Sequence, residues 1–277
     1  MRPPIGRVGV IGLGRMGLPM AGHLLRAGFE VTGFDLDDGR RALLRAAGGA
    51  VAPSAADVGR RSDAVIVMVT DDAQVERAAM ELLSGLPDGS VLLITATVKP
   101  STCREIAARL RPRGVAVLDA PVALGQRAAE EGRLTAYVGG DRRVLERCRP
   151  LLQAYCREVI HVGDEIGAGQ VAKLANNLIL WAGVVAVHEA LAFGQRLGVA
   201  PARLREALRH GSADGYVLRE LHLINLTWPH KDIEQALEAA EAIGHPLPLA
   251  EQVGRLIRGL TKDELRRLCS HGEEGAR

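Results

Sequence analysis

The sequence has almost no net charge and no block of residues of one charge. Its 35 Lys and Arg residues and 33 Asp and Glu residues leave a formal charge of +2, and both signs are mixed along the chain. Proteins that bind nucleic acid or an acidic surface concentrate basic residues in a patch or a tail. The composition therefore indicates no nucleic-acid partner.

Cysteine is scarce and its spacing carries no motif. There is no C-x-x-C pair, and no group of cysteines and histidines has the spacing of a metal site. This distribution is typical of reduced thiols in a cytosol and not of disulfides or a zinc centre. We therefore expect no metal site. The cysteines are Cys103, Cys148, Cys156 and Cys269.

The sequence also lacks a long uninterrupted apolar run. The longest, LILWAGVVAV from Leu178, is followed within one helical turn by His188 and Glu189, so it falls short of the roughly 20 residues of a membrane span. The stretch MRPPIGRVGVIG has neither the apolar core nor the cleavage site of a signal peptide. We expect a cytoplasmic protein with no membrane partner, in which this run forms a buried helix.

The order of the apolar runs predicts an α/β protein. Up to about Gly163, short apolar runs alternate with helix-period segments, which is typical of a mostly parallel sheet with crossover helices. Beyond it only helical patterns follow. We predict a Rossmann-type domain at 1–163 and an all-helical substrate and dimerisation domain at 164–277. The predicted strands are RVGVIG, EVTGFD, AVIVMVT, SVLLITA, VAVLDAP, LTAYVGG and EVIHVG.

The first helical stretch of the second predicted domain is apolar on nearly every side. Such a helix must be covered by its own domain or by another subunit. The sequence therefore predicts a homodimer or a higher homo-oligomer.

A glycine-rich loop joins the first predicted strand to a helix. In GLGRMG, Gly12 permits a tight turn, Gly14 lets the backbone approach a pyrophosphate, and Gly17 lets the helix pack on the strand. The N-terminus of the helix then stabilises the phosphate charge. We predict that this loop binds a dinucleotide through Gly12, Leu13, Gly14, Arg15, Met16 and Gly17.

The acid at the end of the second predicted strand bears on the choice of dinucleotide. Asp35 lies at the distance expected for a carboxylate that accepts hydrogen bonds from the ribose hydroxyls and repels a 2′-phosphate. The next residue is Leu36, where an NADP site would have Arg. NAD is therefore the predicted cofactor, although Arg40 and Arg41 keep NADP open as the less favoured one.

A polar cluster near the start of the long apolar helix is a candidate for chemistry. In GAGQVAKLANN, Lys173 and Asn177 are four residues apart and share a helix face, with Asn176 beside them. Together they could hold a carbonyl oxygen or a hydroxyl, with the ammonium as the proton-transfer group. The alternative is structural: a lysine that extends to solvent, and asparagines that bond locally.

These motifs resemble the β-hydroxyacid dehydrogenases, the family of 3-hydroxyisobutyrate dehydrogenase and tartronate semialdehyde reductase. GLGRMGLPMA is similar to the glycine motif of that family, DAPVALGQRAAEEGRLTAYVGG to its DAPVSGG segment, GAGQVAKLANN to its catalytic helix, and KDI at Lys231 to its KD motif. The four occur in the family's order. The resemblance spans nearly the whole chain.

The resemblance implies a role for each matched residue. Lys173 would be the catalytic acid and base, and Asn177 with Asn176 would position a small-molecule substrate. Lys231 would reach the nicotinamide end of the cofactor. The cofactor contacts implied outside the glycine loop are Val69, Thr70, Thr97 and Lys231.

One segment departs from the family pattern. Where the family commonly has Ser-Gly-Gly against the substrate carboxylate, this chain has Ala123, Leu124 and Gly125. A hydroxyl donor is lost, and Leu tolerates fewer backbone conformations than Gly. The substrate site is therefore predicted to be more apolar than usual. The segment before Lys231 is also shorter than in typical members.

The sequence thus predicts an NAD-dependent oxidoreductase that transfers a hydride between the nicotinamide and a small 3-hydroxy acid or semialdehyde. An imine reductase of related architecture is one alternative, favoured by the altered Ala123–Leu124 loop and opposed by Lys173. A non-catalytic NAD-binding module is another. The presence of both Lys173 and Asn177 opposes that second alternative.

Overall fold

The computed structural model describes residues 4–269. Its first compact unit, up to Lys173, contains one mostly parallel sheet. All seven predicted strands are present, and two further strands of two residues each, β3 and β7, had no sequence signal. The strands are β1 (Arg7–Ile11), β2 (Glu30–Phe34), β3 (Ala50–Val51), β4 (Ala64–Val67), β5 (Val91–Ile94), β6 (Ala116–Asp119), β7 (Val122–Ala123), β8 (Leu134–Gly139) and β9 (Cys156–Gly163).

The strand order is that of a doubly wound nucleotide-binding sheet. It runs β3-β2-β1-β4-β5-β6-β8-β7, with β9 paired to β8. The strands from β3 to β6 in this order are parallel, whereas β8 is antiparallel to both β6 and β7. From β1 the sheet extends through β2 and β3 on one side and through β4, β5 and β6 on the other. Such folds bind nucleotides at this switch point between β1 and β4. The predicted Rossmann-type fold is confirmed.

Helices cover both faces of this sheet because its central strands are apolar on both sides. Along β4, Ala64 and Ile66 belong to one core cluster, and Val65 and Val67 to the other. The first cluster is covered by α1 (Gly17–Arg26), α2 (Asp38–Ala46), α6 (Gly125–Glu130) and α7 (Arg142–Gln153). The second is covered by α3 (Ala55–Arg60), α4 (Asp72–Leu83) and α5 (Pro100–Leu110).

The second compact unit starts at Leu174 and is helical throughout the part that the structure describes. Its own core includes Trp181, Val184, Leu221 and Ile233. The change of unit falls within helix α8, later than the predicted boundary at 163, because the first turn of α8 is hydrogen bonded to the sheet. The helices are α8 (Ala168–Arg196), α9 (Pro201–Leu208), α10 (Tyr216–Glu220), α11 (Pro229–Glu241), α12 (Pro248–Leu256) and α13 (Lys262–Arg267).

Helix α8 is more exposed than its sequence predicted. Among residues 4–269 it alone has the length and the apolar composition that could cross a membrane. Only 33% of its most apolar 18-residue stretch is buried. The expectation of a buried helix therefore holds for one side of α8, which packs into the core around Trp181 and Val184. The other side exposes Ile179 and Phe193.

Candidate active site

The loop after β1 has the close backbone packing that a nucleotide cradle requires. Gly12 has a φ of +91°, and a Cβ there would overlap the carbonyl oxygen of Met68. A Cβ on Gly17, where α1 begins, would overlap the carbonyl oxygen of Gly12. Only glycine fits at both positions, so the loop stays narrow, and the N-terminus of α1 that follows it is suited to bind a pyrophosphate.

The other loop residues differ in what they expose. The Leu13 side chain is buried in the first core cluster, and Met16 packs against the same cluster. Arg15 is exposed and Gly14 is partly exposed. Only the backbone of Leu13 is therefore available to a nucleotide, whereas the Arg15 side chain extends into solvent.

Asp35 is held against the glycine loop. Its carboxylate accepts hydrogen bonds from the N–H of Leu13 at 2.7 Å and of Asp37 at 2.9 Å. The Arg40 guanidinium lies 3.5 Å from the same carboxylate and is half exposed. Arg41 instead donates to the main-chain carbonyl of Asp35 and pairs with Asp38. This arrangement fits NAD, because a fixed carboxylate lies beside the position that the ribose hydroxyls would take and could accept hydrogen bonds from them.

Three neighbouring strands bring the remaining predicted cofactor residues to one edge of the sheet. β1, β4 and β5 are adjacent and parallel, so Gly12, Val69 and Thr97 follow strands that end on the same side. Val69 and Thr97 are partly buried, and Thr70 is exposed. The N–H of Thr70 donates to Gln74 Oε1 at 3.2 Å.

Two residues, Asp119 and Gln170, join the first turn of α8 to the edge of the sheet where β5 and β6 end, and no sequence pattern predicts that they meet. Asp119, at the end of β6, accepts from the N–H of Gly167 at 2.7 Å and of Gln170 at 2.8 Å. Gln170 in turn donates to the carbonyl of Ala96 at 2.9 Å and accepts from the N–H of Val98 at 3.1 Å. Both groups that flank Thr97 are therefore bonded to the helix that carries Lys173.

Asp119 is a fully buried carboxylate. Burial raises its pKa, because a charge is disfavoured away from water, and the N–H donors at the start of α8 oppose that rise. The same position at a helix N-terminus favours a negative charge. Asp119 thus acts as the cap of α8, although it is distant from that helix in sequence.

The predicted catalytic cluster lies just beyond this cap. Lys173 follows Gln170 by about one turn of α8 and is partly buried. Asn177, one further turn along, is buried, and its Oδ1 accepts from Asn176 Nδ2 at 3.1 Å. Lys173 and Asn177 share a helix face by their spacing.

The KD motif has a structural role in the second unit. Asp232, in the first turn of α11, is buried and accepts from the indole N–H of Trp181 on α8 at 3.0 Å. This bond joins α11 to α8. Lys231 precedes it in the same turn and is partly exposed. Its predicted contact with the cofactor stays a prediction.

The Ala123–Leu124–Gly125 segment is strained at its centre. Leu124 has a φ of +80° and is, among the described residues, the one non-glycine residue with a positive φ. That conformation costs an L-residue about 1–2 kcal/mol. Ala123 is buried in β7 with 4% exposure, Leu124 is partly buried against the first core cluster, and Gly125 is exposed. Leu thus occupies a conformation suited to the Gly that the family has there.

Two family models together match most of the chain. The NAD binding domain of 6-phosphogluconate dehydrogenase matches residues 7–163, and the NAD-binding domain of NADP-dependent 3-hydroxyisobutyrate dehydrogenase matches residues 167–268. The first covers the sheet and its helices, and the second begins at the start of α8.

Individual relatives agree with these models. The chain is 36% identical to an NAD-dependent L-serine dehydrogenase of Pseudomonas aeruginosa, with 92% of each chain covered. It is similar to a solved Mycobacterium tuberculosis 3-hydroxyisobutyrate dehydrogenase with L-serine, at a TM-score of 0.84 and 28% identity, with 92% of this chain and 93% of that chain covered. An imine reductase of Streptomyces aurantiacus shares the fold at 19% identity and a TM-score of 0.67, covering 96% of this chain and all of that one.

Proposed function

Because this chain belongs to the β-hydroxyacid dehydrogenase family, we propose that Lys173 moves the proton while a hydride passes between NAD and a small 3-hydroxy acid or semialdehyde. The protein is an NAD-dependent oxidoreductase of this family. One observation carries the role of Lys173: the turn of α8 before it is hydrogen bonded to both sides of Thr97, at the edge of the sheet where the glycine loop ends.

The chemistry that these residues support is reversible. NAD, when bound, supplies a ring carbon that accepts a hydride. In the direction of oxidation, the neutral amine of Lys173 accepts the hydroxyl proton of the substrate, and in the direction of reduction its ammonium returns that proton to the carbonyl oxygen. The Asn177 amide, on the same helix face, holds the oxygen in place while the proton moves.

The relatives support the substrate class. L-serine and 3-hydroxyisobutyrate, which appear in the names of the relatives described above, both carry a carboxylate and a hydroxyl on the β carbon. We propose a substrate with that pair of groups and a short chain. The Streptomyces imine reductase supports a shared fold alone, at its 19% identity.

The test is turnover of NAD with a panel of compounds, followed by NADH absorbance. We expect oxidation of 3-hydroxyisobutyrate or L-serine, and no reduction of a cyclic imine with NADH. Reduction of the imine without oxidation of any hydroxy acid would support the imine-reductase alternative instead. Binding of NADH without turnover of any compound would identify a non-catalytic module.

Asp35 is predicted to set the preference for NAD over NADP. Asp35→Asn removes the charge that repels a 2′-phosphate and the ion pair between Asp35 and Arg40, so we expect the ratio of NADPH to NADH dissociation constants to fall about tenfold, equivalent to about 1.4 kcal/mol. Fluorescence titration of the two cofactors measures this ratio.

The matched control for Asp35 is its neighbour Asp37. Asp37 also lies near Arg40, at 3.8 Å, but it caps α2 and has no bond to the glycine loop. Asp37→Asn keeps an acceptor for that cap, so the ratio should stay near its original value. Tighter binding of NADPH than NADH by the unmodified protein would refute the role of Asp35.

The exposed side of α8 supports the proposal of a dimer. Ile179 and Phe193, two large apolar side chains on this side, are 75% and 67% exposed. A second copy of the chain is the occupant that we propose for this surface. We also place the protein in the cytoplasm, in agreement with four buried cysteines that form no disulfide.

Charge on this surface is predicted to separate the subunits. Ile179→Asp with Phe193→Asp should convert the oligomer to a monomer, because burial of two unpaired carboxylates opposes association. Ile243→Asp is the control, since Ile243 is 78% exposed but lies outside α8. Light scattering measures the mass of each variant. A monomeric unmodified protein at micromolar concentration would contradict the dimer.

A further inference from the structure

Gln170 is a fully buried side chain whose amide makes two hydrogen bonds to one short segment. Its Oε1 accepts from the N–H of Val98, and its Nε2 donates to the carbonyl of Ala96. These groups flank Thr97, so one side chain holds the backbone on both sides of a predicted cofactor contact. Gln170 itself lies on α8, about one turn before Lys173.

Asp119 fixes the position of Gln170. Its Oδ2 accepts from the Gln170 N–H, and its Oδ1 accepts from the Gly167 N–H. The packing around this contact has no spare room, because a Cβ on Gly169 would overlap the carbonyl of Tyr137 and one on Gly139 would crowd Asp119. The start of α8 therefore has one position relative to β6 and β8.

From these contacts we propose that Gln170, supported by Asp119, is a positioning residue that sets the distance between Lys173 and the cofactor segment around Thr97. The inference rests on the proposed role of Lys173 in proton transfer. Hydride and proton transfer both need reacting atoms in van der Waals contact, so a displacement of about 1 Å between these two segments reduces the rate. Gln170 contacts neither substrate nor NAD in this proposal.

The experiment replaces Gln170 by a residue of similar length. Gln170→Met removes both bonds to the Thr97 segment, and we expect a rate of NADH formation in a single turnover about tenfold lower, at saturating hydroxy acid. The NADH dissociation constant should change less than about twofold, since the glycine loop and Asp35 are untouched. A structural role alone would lower the thermal stability and the fraction of active sites, but not the rate at each active site.

A readout without cofactor complements the rate. Hydrogen exchange of the cofactor-free protein should become faster at Val98 in Gln170→Met, because its N–H loses its acceptor, and the first turn of α8 should exchange faster with it. Gln170→Glu keeps an acceptor for Val98 but loses the donor to Ala96, so its rate should lie between those of Met and Gln. This second variant supplies the test if the Met variant does not fold.

Two further variants separate the outcomes. Ser62→Ala removes a different buried hydrogen bond, from Ser62 Oγ to the Val58 carbonyl, and should leave the single-turnover rate unchanged. If Gln170→Met and Gln170→Glu also keep the original rate, while Lys173→Met abolishes turnover, the positioning role is wrong and the proposed function stands. If Lys173→Met keeps its activity, the proposed role of Lys173 in proton transfer fails, and the positioning role of Gln170 with it.

Discussion

Replacing Lys173 by Met is expected to lower kcat about a hundredfold or more, the usual contribution of a positioned proton-transfer group. Affinity for NADH should change less than about twofold, because the predicted nucleotide site is formed by the glycine loop and Asp35, which the Leu13 N–H joins. Steady-state kinetics with the best hydroxy acid and a fluorescence titration of NADH measure the two effects. If Lys173 is the catalytic acid and base, kcat must fall while the affinity for NADH stays nearly the same.

Two controls define what the loss means. Lys173→Arg keeps a positive charge but cannot deprotonate near neutral pH, so it should be nearly as inactive as the Met variant in the direction of oxidation. Lys262→Met changes a lysine at the start of α13 and should retain full activity. A Lys173→Met enzyme with most of its activity would return this residue to a structural role.

The second large effect concerns the choice of substrate. Ala123→Ser together with Leu124→Gly restores the Ser-Gly-Gly pattern of the family. An unpaired hydroxyl costs about 1–3 kcal/mol to bury, so giving a polar substituent a partner should raise selectivity for glycerate over 3-hydroxyisobutyrate about thirtyfold. The ratio of kcat/KM for these two acids measures the change.

Single substitutions assign the effect to one residue. Leu124→Gly relieves the positive φ, but it also removes contacts with the first core cluster, so its net effect on stability is small. Leu124→Ala removes the same bulk without the conformational freedom of Gly, and Ala123→Ser adds the hydroxyl alone. A clear preference of the unmodified protein for glycerate would contradict the apolar site.

Local sequence patterns were sufficient for the sheet. The central strands β4 and β5 are continuous apolar runs buried on both faces, whereas β2 and β8 alternate buried with more exposed residues, and the sequence shows both patterns. β3 and β7 have two residues each, which is too few to show the alternation of apolar and polar residues that predicts a strand. The glycine loop follows β1 and Thr97 follows β5, and these two parallel strands are separated in the sheet by β4 alone.

The environment of the site could not be read in the same way. Asp119 and Gln170 both lie in motifs that were recognised, but their bond joins residues far apart in sequence, and no local rule pairs them. Arg40 could be read as an NADP signal, whereas the structure pairs it with Asp35. The direction of a loop side chain also depends on packing, so the contact of Leu124 with the core had no sequence signal.

The most direct test of the role of Lys173 is the pH dependence of kcat/KM in both directions at saturating cofactor. Oxidation needs the neutral amine, so its rate should rise with pH, whereas reduction needs the ammonium, so its rate should fall with rising pH. In Lys173→Met both of these pH dependences should disappear. The role of Lys173 is contradicted if the variant keeps the original profiles, or if both reactions change in the same direction with pH.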